Sequence, residues 1–153
     1  MTRFAETLYV LAISLWVGGM FAIGYLAAPL LFYRIEDHTL AGNLAGEMFT
    51  YIAYTGLACG GYLLLYVIAR RGWRAVKSGV FWIVLAMLAL TIAGHFGVQP
   101  VIAQLKADAL PRQVMESALR DRFAAWHGVS SGLYLLQSLL GVWLVVWQER
   151  GKR

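Results

Sequence analysis

The stretch SGVFWIVLAMLALTIAGHFGVQPVIAQL (residues 78–105) runs for 28 residues without Asp, Glu, Lys or Arg. An α-helix rises 1.5 Å per residue and needs about 20 apolar residues to cross the hydrocarbon core of a bilayer, so this tract alone is long enough to span a membrane. Three further tracts share the property: residues 7–33 (27 residues), 48–69 (22) and 123–148 (26). The composition agrees, with 60% hydrophobic and 14% charged residues in 153, against about 25% charged in an ordinary soluble domain. Such tracts exclude a soluble enzyme, a disordered chain and a disulfide-rich secreted module. They also exclude a transmembrane β-barrel, whose strands read as alternating segments of about ten residues. The expected fold is all-α, an integral-membrane, antiparallel up-down four-helix bundle in one domain (1–153), with helices over about 6–33, 44–70, 75–107 and 112–148.

The charges between the tracts set an orientation. Arg3, Arg70, Arg71, Arg74, Lys77, Arg150, Lys152 and Arg153 fall on one side with only Glu6 and Glu149, a net +6. The opposite side has Arg34, Lys106, Arg112, Arg120 and Arg122 against six acids, a net −1. Lys and Arg favour the cytoplasmic side, so an inner (cytoplasmic) membrane protein with both termini in the cytoplasm is expected. The overall charge of +5 then reflects topology and contact with anionic lipid, and no nucleic-acid partner is expected. The first tract is far longer than the 7–15-residue apolar core of a signal peptide and is expected to be retained. A single cysteine, Cys59, allows no intramolecular disulfide.

Along the first helix, Ser14, Gly18 and Ala22 have the small-xxx-small spacing that lets helices approach closely in lipid, and Pro29 should kink the outer end. This stripe is the expected helix-packing surface, and it also motivates a homo-oligomer or an accessory role in a larger membrane complex. Residues 34–47 read as an external loop, with Thr39 or Asn43 as candidate caps. Beyond Pro111, a favourable first helical residue, Val114, Met115, Ala118, Leu119 and Phe123 recur at helical spacing, so helix 4 is expected to start near Arg112, outside the membrane, and run unbroken to about Gln148. Pro29 and Pro100 stand 71 residues apart, the trace of a weak internal repeat of two hairpins.

Polar side chains within hydrocarbon need partners or a water-lined cavity, which makes them the informative residues. Thr91, His95 and Gln99 form one stripe on helix 3. His127, Ser131, Tyr134 and Ser138 form another on helix 4, and Tyr51, Thr55, Cys59 and Tyr62, with Tyr54 beside them, form a third on helix 2. The three stripes are expected to face one another as interhelical hydrogen-bonding groups. His95 and His127, both in the outer half of an antiparallel pair, are the candidate metal ligands, with haem b or copper as the candidate cofactor. Met20, Met48, Met87 and Cys59 are soft atoms suited to copper(I). The six tryptophans read chiefly as interfacial anchors, with Trp126 a candidate site wall. Phosphate loops, nucleophile elbows, zinc-binding HExxH helices and paired carboxylates do not occur, so a non-enzymatic protein handling a small solute, drug or metal ion is the leading expectation.

The ordered motifs Leu15-Trp16-Val17-Gly18-Gly19-Met20-Phe21, Ala28-Pro29-Leu30-Leu31-Phe32, Leu40-Ala41-Gly42, Met48-Phe49, Gln99-Pro100-Val101-Ile102 and Phe123-Ala124-Ala125-Trp126-His127-Gly128 resemble the family of small four-helix membrane proteins typified by eukaryotic transmembrane protein 205, whose bacterial members carried a domain-of-unknown-function label. The resemblance covers roughly residues 8–147. It implies a four-helix membrane domain without an established reaction, and the namesake's association with platinum-drug resistance points to drug or metal handling. The architecture is more distantly similar to copper-resistance D membrane proteins and to the haem-binding protoporphyrinogen oxidase of bacterial membranes. The latter's early helix-1 histidine has no counterpart in Leu8–Trp16.

Overall fold

The computed structural model describes residues 3–110 and 114–150, without the side chains of Glu116, Glu149 and Arg150. Its four helices long and apolar enough to cross a membrane cover Arg3–Arg34, His38–Lys77, Gly79–Ala109 and Arg120–Gln148. The first comprises α1 (Arg3–Phe21), a π-helical turn (Ala22–Ala27) and α2 (Ala28–Arg34). The second is α3 (His38–Arg71), continued by a 3-10 segment (Gly72–Lys77). The third repeats the plan of the first: α4 (Gly79–Ile92), a π turn (Ala93–Val98) and α5 (Gln99–Ala109). The fourth is α6 (Arg120–Arg150).

Cross-bonds give the directions. Tyr62 near the end of α3 donates to the carbonyl of Ala5 at the start of α1. Lys106 near the end of α5 donates to Gly42 near the start of α3. Gly79 at the start of α4 lies against the Trp147 indole near the end of α6. Consecutive helices are therefore antiparallel, and α1, α3, α4 and α6 close a ring in which each touches two neighbours.

The core is a set of inward stripes. Ile13, Trp16 and Met20 of α1, Leu63 of α3, Val84 and Met87 of α4 and Leu144 of α6 are all less than 2% exposed. Trp16 is thus a core residue and not an interfacial anchor. Its indole fits a bare strip of α3: a Cβ on Gly56 would overlap the ring, and one on Gly60 would come within 2.8 Å of it. With positions 13, 16, 17 and 20 turned inward, the 100° step per residue carries Ser14, Gly18 and Ala22 to the outside, where all three are exposed. A Cβ on Gly18 would meet nothing within 4 Å. Close packing within the chain therefore uses Gly56 and Gly60 of α3 and, on the first span, Gly19 and Gly24, while Gly18 of the expected stripe touches nothing.

Helix boundaries moved where side chains bind backbone. The expected 34–47 loop shrinks to residues 35–37, because Asp37, rather than Thr39 or Asn43, caps α3 by accepting from the N–H groups of Thr39 (2.8 Å) and Leu40 (3.1 Å). Gly72, at φ +55°, ends α3 by donating its N–H to Ile68, a conformation that favours glycine. The third helix starts at Gly79 instead of 75, since residues 72–77 wind as a 3-10 segment. The fourth starts at Arg120 instead of Arg112. Ser117 donates to the Val114 carbonyl and accepts from the Leu119 N–H, so its hydroxyl holds a turn in competition with a helix. Pro111 and Arg112 lie outside the described residues.

Candidate functional site

Both π turns precede a proline. Proline lacks an N–H and clashes with the carbonyl four residues back; here the chain absorbs that by widening one turn. The residue before each proline bonds five residues back, Ala28 N–H to Ile23 and Gln99 N–H to Gly94. The two devices stand 71 residues apart, and the most buried positions keep the same offset: Ile13, Trp16 and Met20 against Val84, Met87 and Thr91. π-Bulges concentrate at functional sites, and these two lie on the walls of one cavity.

That cavity, about 410 Å³, lies among all four helices in the half of the bundle nearer the α2–α3 connection. Gly24 and Tyr25 of the first π turn and Gly94 and His95 of the second line it, with Gln99, His127, Ser131 and Tyr134. Tyr134 is fixed by three contacts. Its hydroxyl donates to the Met20 carbonyl at 2.7 Å, its ring meets Phe49 edge-on at 5.1 Å, and its face covers Gly24 so closely that a Cβ there would overlap it. Thr91 donates to Met87 and accepts from Gln137 Nε2 at 2.8 Å, a buried bond tying α4 to α6.

The histidines differ. His95 packs edge-on against Tyr54 (5.0 Å) and Phe96 (4.7 Å), and its Nδ1 is buried with no hydrogen-bond partner among the described residues. His127 is exposed and stacks on Phe123 with planes 11° apart. A second cavity of about 200 Å³ shares Phe32, Phe49, Gln99, His127 and Ser130 with the first and reaches Thr39 and Lys106 at the end of the bundle that holds the α2–α3 connection. The two cavities therefore adjoin. Among the described residues neither wall contains a carboxylate, and no three His, Cys, Asp or Glu side chains converge to hold a metal ion.

Of the expected interior groups, Thr91, His95, Gln99, His127, Ser131 and Tyr134 meet at the cavity. Those on helix 2 do not. Tyr51 is 73% exposed, Thr55 bonds back to the Tyr51 carbonyl, and Cys59 sits in the core with Met20 and Met87. Tyr54 reaches the site only through its contact with His95. Trp126 is not in the cavity wall. Gln137, Ser130, Phe49 and Gly24 were not anticipated as site residues. Gln137 was legible as a polar group in an apolar tract, and Gly24 only as a small residue four before Ala28, the spacing of close helix packing.

Four apolar, antiparallel helices around a partly polar cavity define a multi-pass membrane protein. The chain belongs to the family described as Domain of unknown function (DUF4149), whose model matches residues 11–111. The match takes in both π turns and their prolines, whereas α6, which supplies His127, Ser131 and Tyr134, lies beyond it. No curated protein matches the chain. No solved structure matches it either.

Proposed function

We propose that the protein is a non-enzymatic inner-membrane protein, both termini cytoplasmic, that holds or passes a small amphipathic molecule through the cavity between the π turns. The observation that carries this is the convergence of two π turns and of polar groups, His95, Gln99, His127 and Ser131 with Thr91, Tyr134 and Gln137 among them, on a space that apolar side chains such as Met20, Phe49, Ile52 and Leu90 also line. Binding sites for small molecules have that character. An apolar body would lie against Met20, Phe49 and Ile52, with a polar end bonded to His95 or Gln99. The positive charge beside the termini supports the orientation, and the resemblance to the transmembrane-protein-205-like family supports drug or solute handling.

Native mass spectrometry of the full chain ejected from nanodiscs tests the proposal. A small molecule should be retained by the wild type and lost on Ser131→Phe, which fills the cavity. Host tolerance to lipophilic drugs should change with His95→Ala and His127→Ala at equal abundance. No retained species, together with unchanged tolerance, would remove the reading.

A second reading, haem b or copper held by His95 and His127, is favoured by the placement of both on one cavity and by the unpartnered Nδ1 of His95. An absorption spectrum and metal analysis after expression with iron, haem precursor and copper tests it, and a colourless, metal-free preparation would sink it. The outward stripe of Ser14, Gly18 and Ala22 supports a homo-oligomer or accessory-subunit reading, against which a strictly monomeric particle would count.

A further inference from the structure

A third cavity, about 840 Å³, opens at the opposite end of the bundle, where the ends of α1, α3, α4 and α6 meet. Its chemistry is the reverse of the first. Arg70, Arg71 and Lys77 line it, and among the described residues Glu6 is the one carboxylate. Glu6 stands 3.7 Å from Arg70, and Arg70 also donates to the Tyr66 hydroxyl at 3.0 Å, so this guanidinium is held in place. Among the described residues, Arg71 and Lys77 have no carboxylate within ion-pair distance.

Two more features face the same space. The N-terminus of the 14-residue α4 forms part of the wall through Ser78, Gly79 and Val80, and Ser78 makes no side-chain cap to it. Its first N–H groups and the helix dipole therefore favour an anion. Gln148, also in the wall, has its Oε1 buried with no partner among the described residues, an acceptor suited to a ligand hydroxyl. Tyr9, Tyr66 and Trp147 ring the pocket, aromatic residues of the kind that settle at headgroup level.

We infer that this pocket binds a phosphate-bearing anion, with the phosphate between Arg71, Lys77 and the first turn of α4. Basic pockets between helix ends are suited to anionic lipid headgroups, and a soluble phosphate presents the same oxygens. The inference is independent of the cavity between the π turns.

The test uses the full chain in nanodiscs of phosphatidylglycerol mixed with phosphatidylcholine, with native mass spectrometry counting retained lipid and thermal shift following added inorganic phosphate. The wild type should retain phosphatidylglycerol in preference to phosphatidylcholine. Loss of one charge-assisted contact lowers affinity about tenfold, so Arg71→Gln and Lys77→Gln should each reduce retention by about that factor. Arg74→Gln, on the same loop but outside the pocket wall, should leave it unchanged. Stabilisation by inorganic phosphate that Arg71→Gln abolishes, without lipid preference, would support the site and assign it to a soluble phosphate. Equal retention of the two lipids with no phosphate effect, or an equal loss with Arg74→Gln, would overturn the inference in favour of diffuse surface charge. Monodisperse elution and an unchanged melting temperature without ligand identify variants that have kept the fold.

Discussion

Gly24→Ala tests the architecture of the cavity between the π turns with one methyl group. The added Cβ would overlap Cε1 of Tyr134 and lie 2.9 Å from both its Cζ and its hydroxyl oxygen. The ring is not the free end of a flexible chain: Phe49 holds its edge, and its hydroxyl is bonded to Met20 at 2.7 Å. Relief requires the ring to swing and that bond to stretch or break. Overpacking costs about 1–3 kcal/mol, and loss of an interhelical hydrogen bond in a membrane adds about 0.6. Alanine's better helix propensity returns up to about 1 kcal/mol. The expected net destabilisation is about 1–3 kcal/mol, read by steric trapping in bicelles. In a Tyr134→Ala background the clash is gone and only the propensity term remains, so the same substitution should stabilise slightly. A destabilisation of equal size in both backgrounds would refute the reasoning.

Three further outcomes follow from the packing. Thr91→Val and Gln137→Leu should each destabilise, whereas the double variant should recover part of the loss, with a coupling energy of about 0.6–1.7 kcal/mol in a double-mutant cycle; strict additivity would contradict the buried bond. Gly60→Leu should cost at least about 1–3 kcal/mol, since its Cβ already falls 2.6 Å from Leu88 and 2.8 Å from Trp16, while Gly18→Leu in a monomeric preparation should stay within about 0.5 kcal/mol. Asp37→Ala should cost about 1 kcal/mol and speed amide exchange at Thr39 and Leu40, and unchanged exchange there would contradict the cap.

Four spans and their all-helical character were legible because charge exclusion from hydrocarbon acts on whole tracts. Which face turns inward was not. Ser14, Gly18 and Ala22 have the spacing of a packing stripe, yet Trp16 with its glycine bed on α3 outweighs them, and that choice depends on the partner helix. The cavity was half legible. The stripes on α4 and α6 face the space that the sequence suggested, whereas the helix 2 stripe splits: Thr55 satisfies its hydroxyl one turn back, Tyr51 faces outward, Cys59 enters the core and Tyr62 bonds Ala5 of α1. The start of the fourth helix was missed for a similar reason, a serine hydroxyl acting at short range within an amphipathic pattern.

The π turns also govern which insertions and deletions the chain tolerates. Losing one residue anywhere else in a span rotates all that follows by about 100° and turns its buried face toward lipid. Within Ala22–Ala27 or Ala93–Val98 one residue is surplus to α-helical winding. Deleting Ile23 together with Pro29→Ala, or Gly94 together with Pro100→Ala, would return the turn to ordinary pitch and leave the flanking segments in register. Within the spans, those two places are where the chain length can change without unmaking the core.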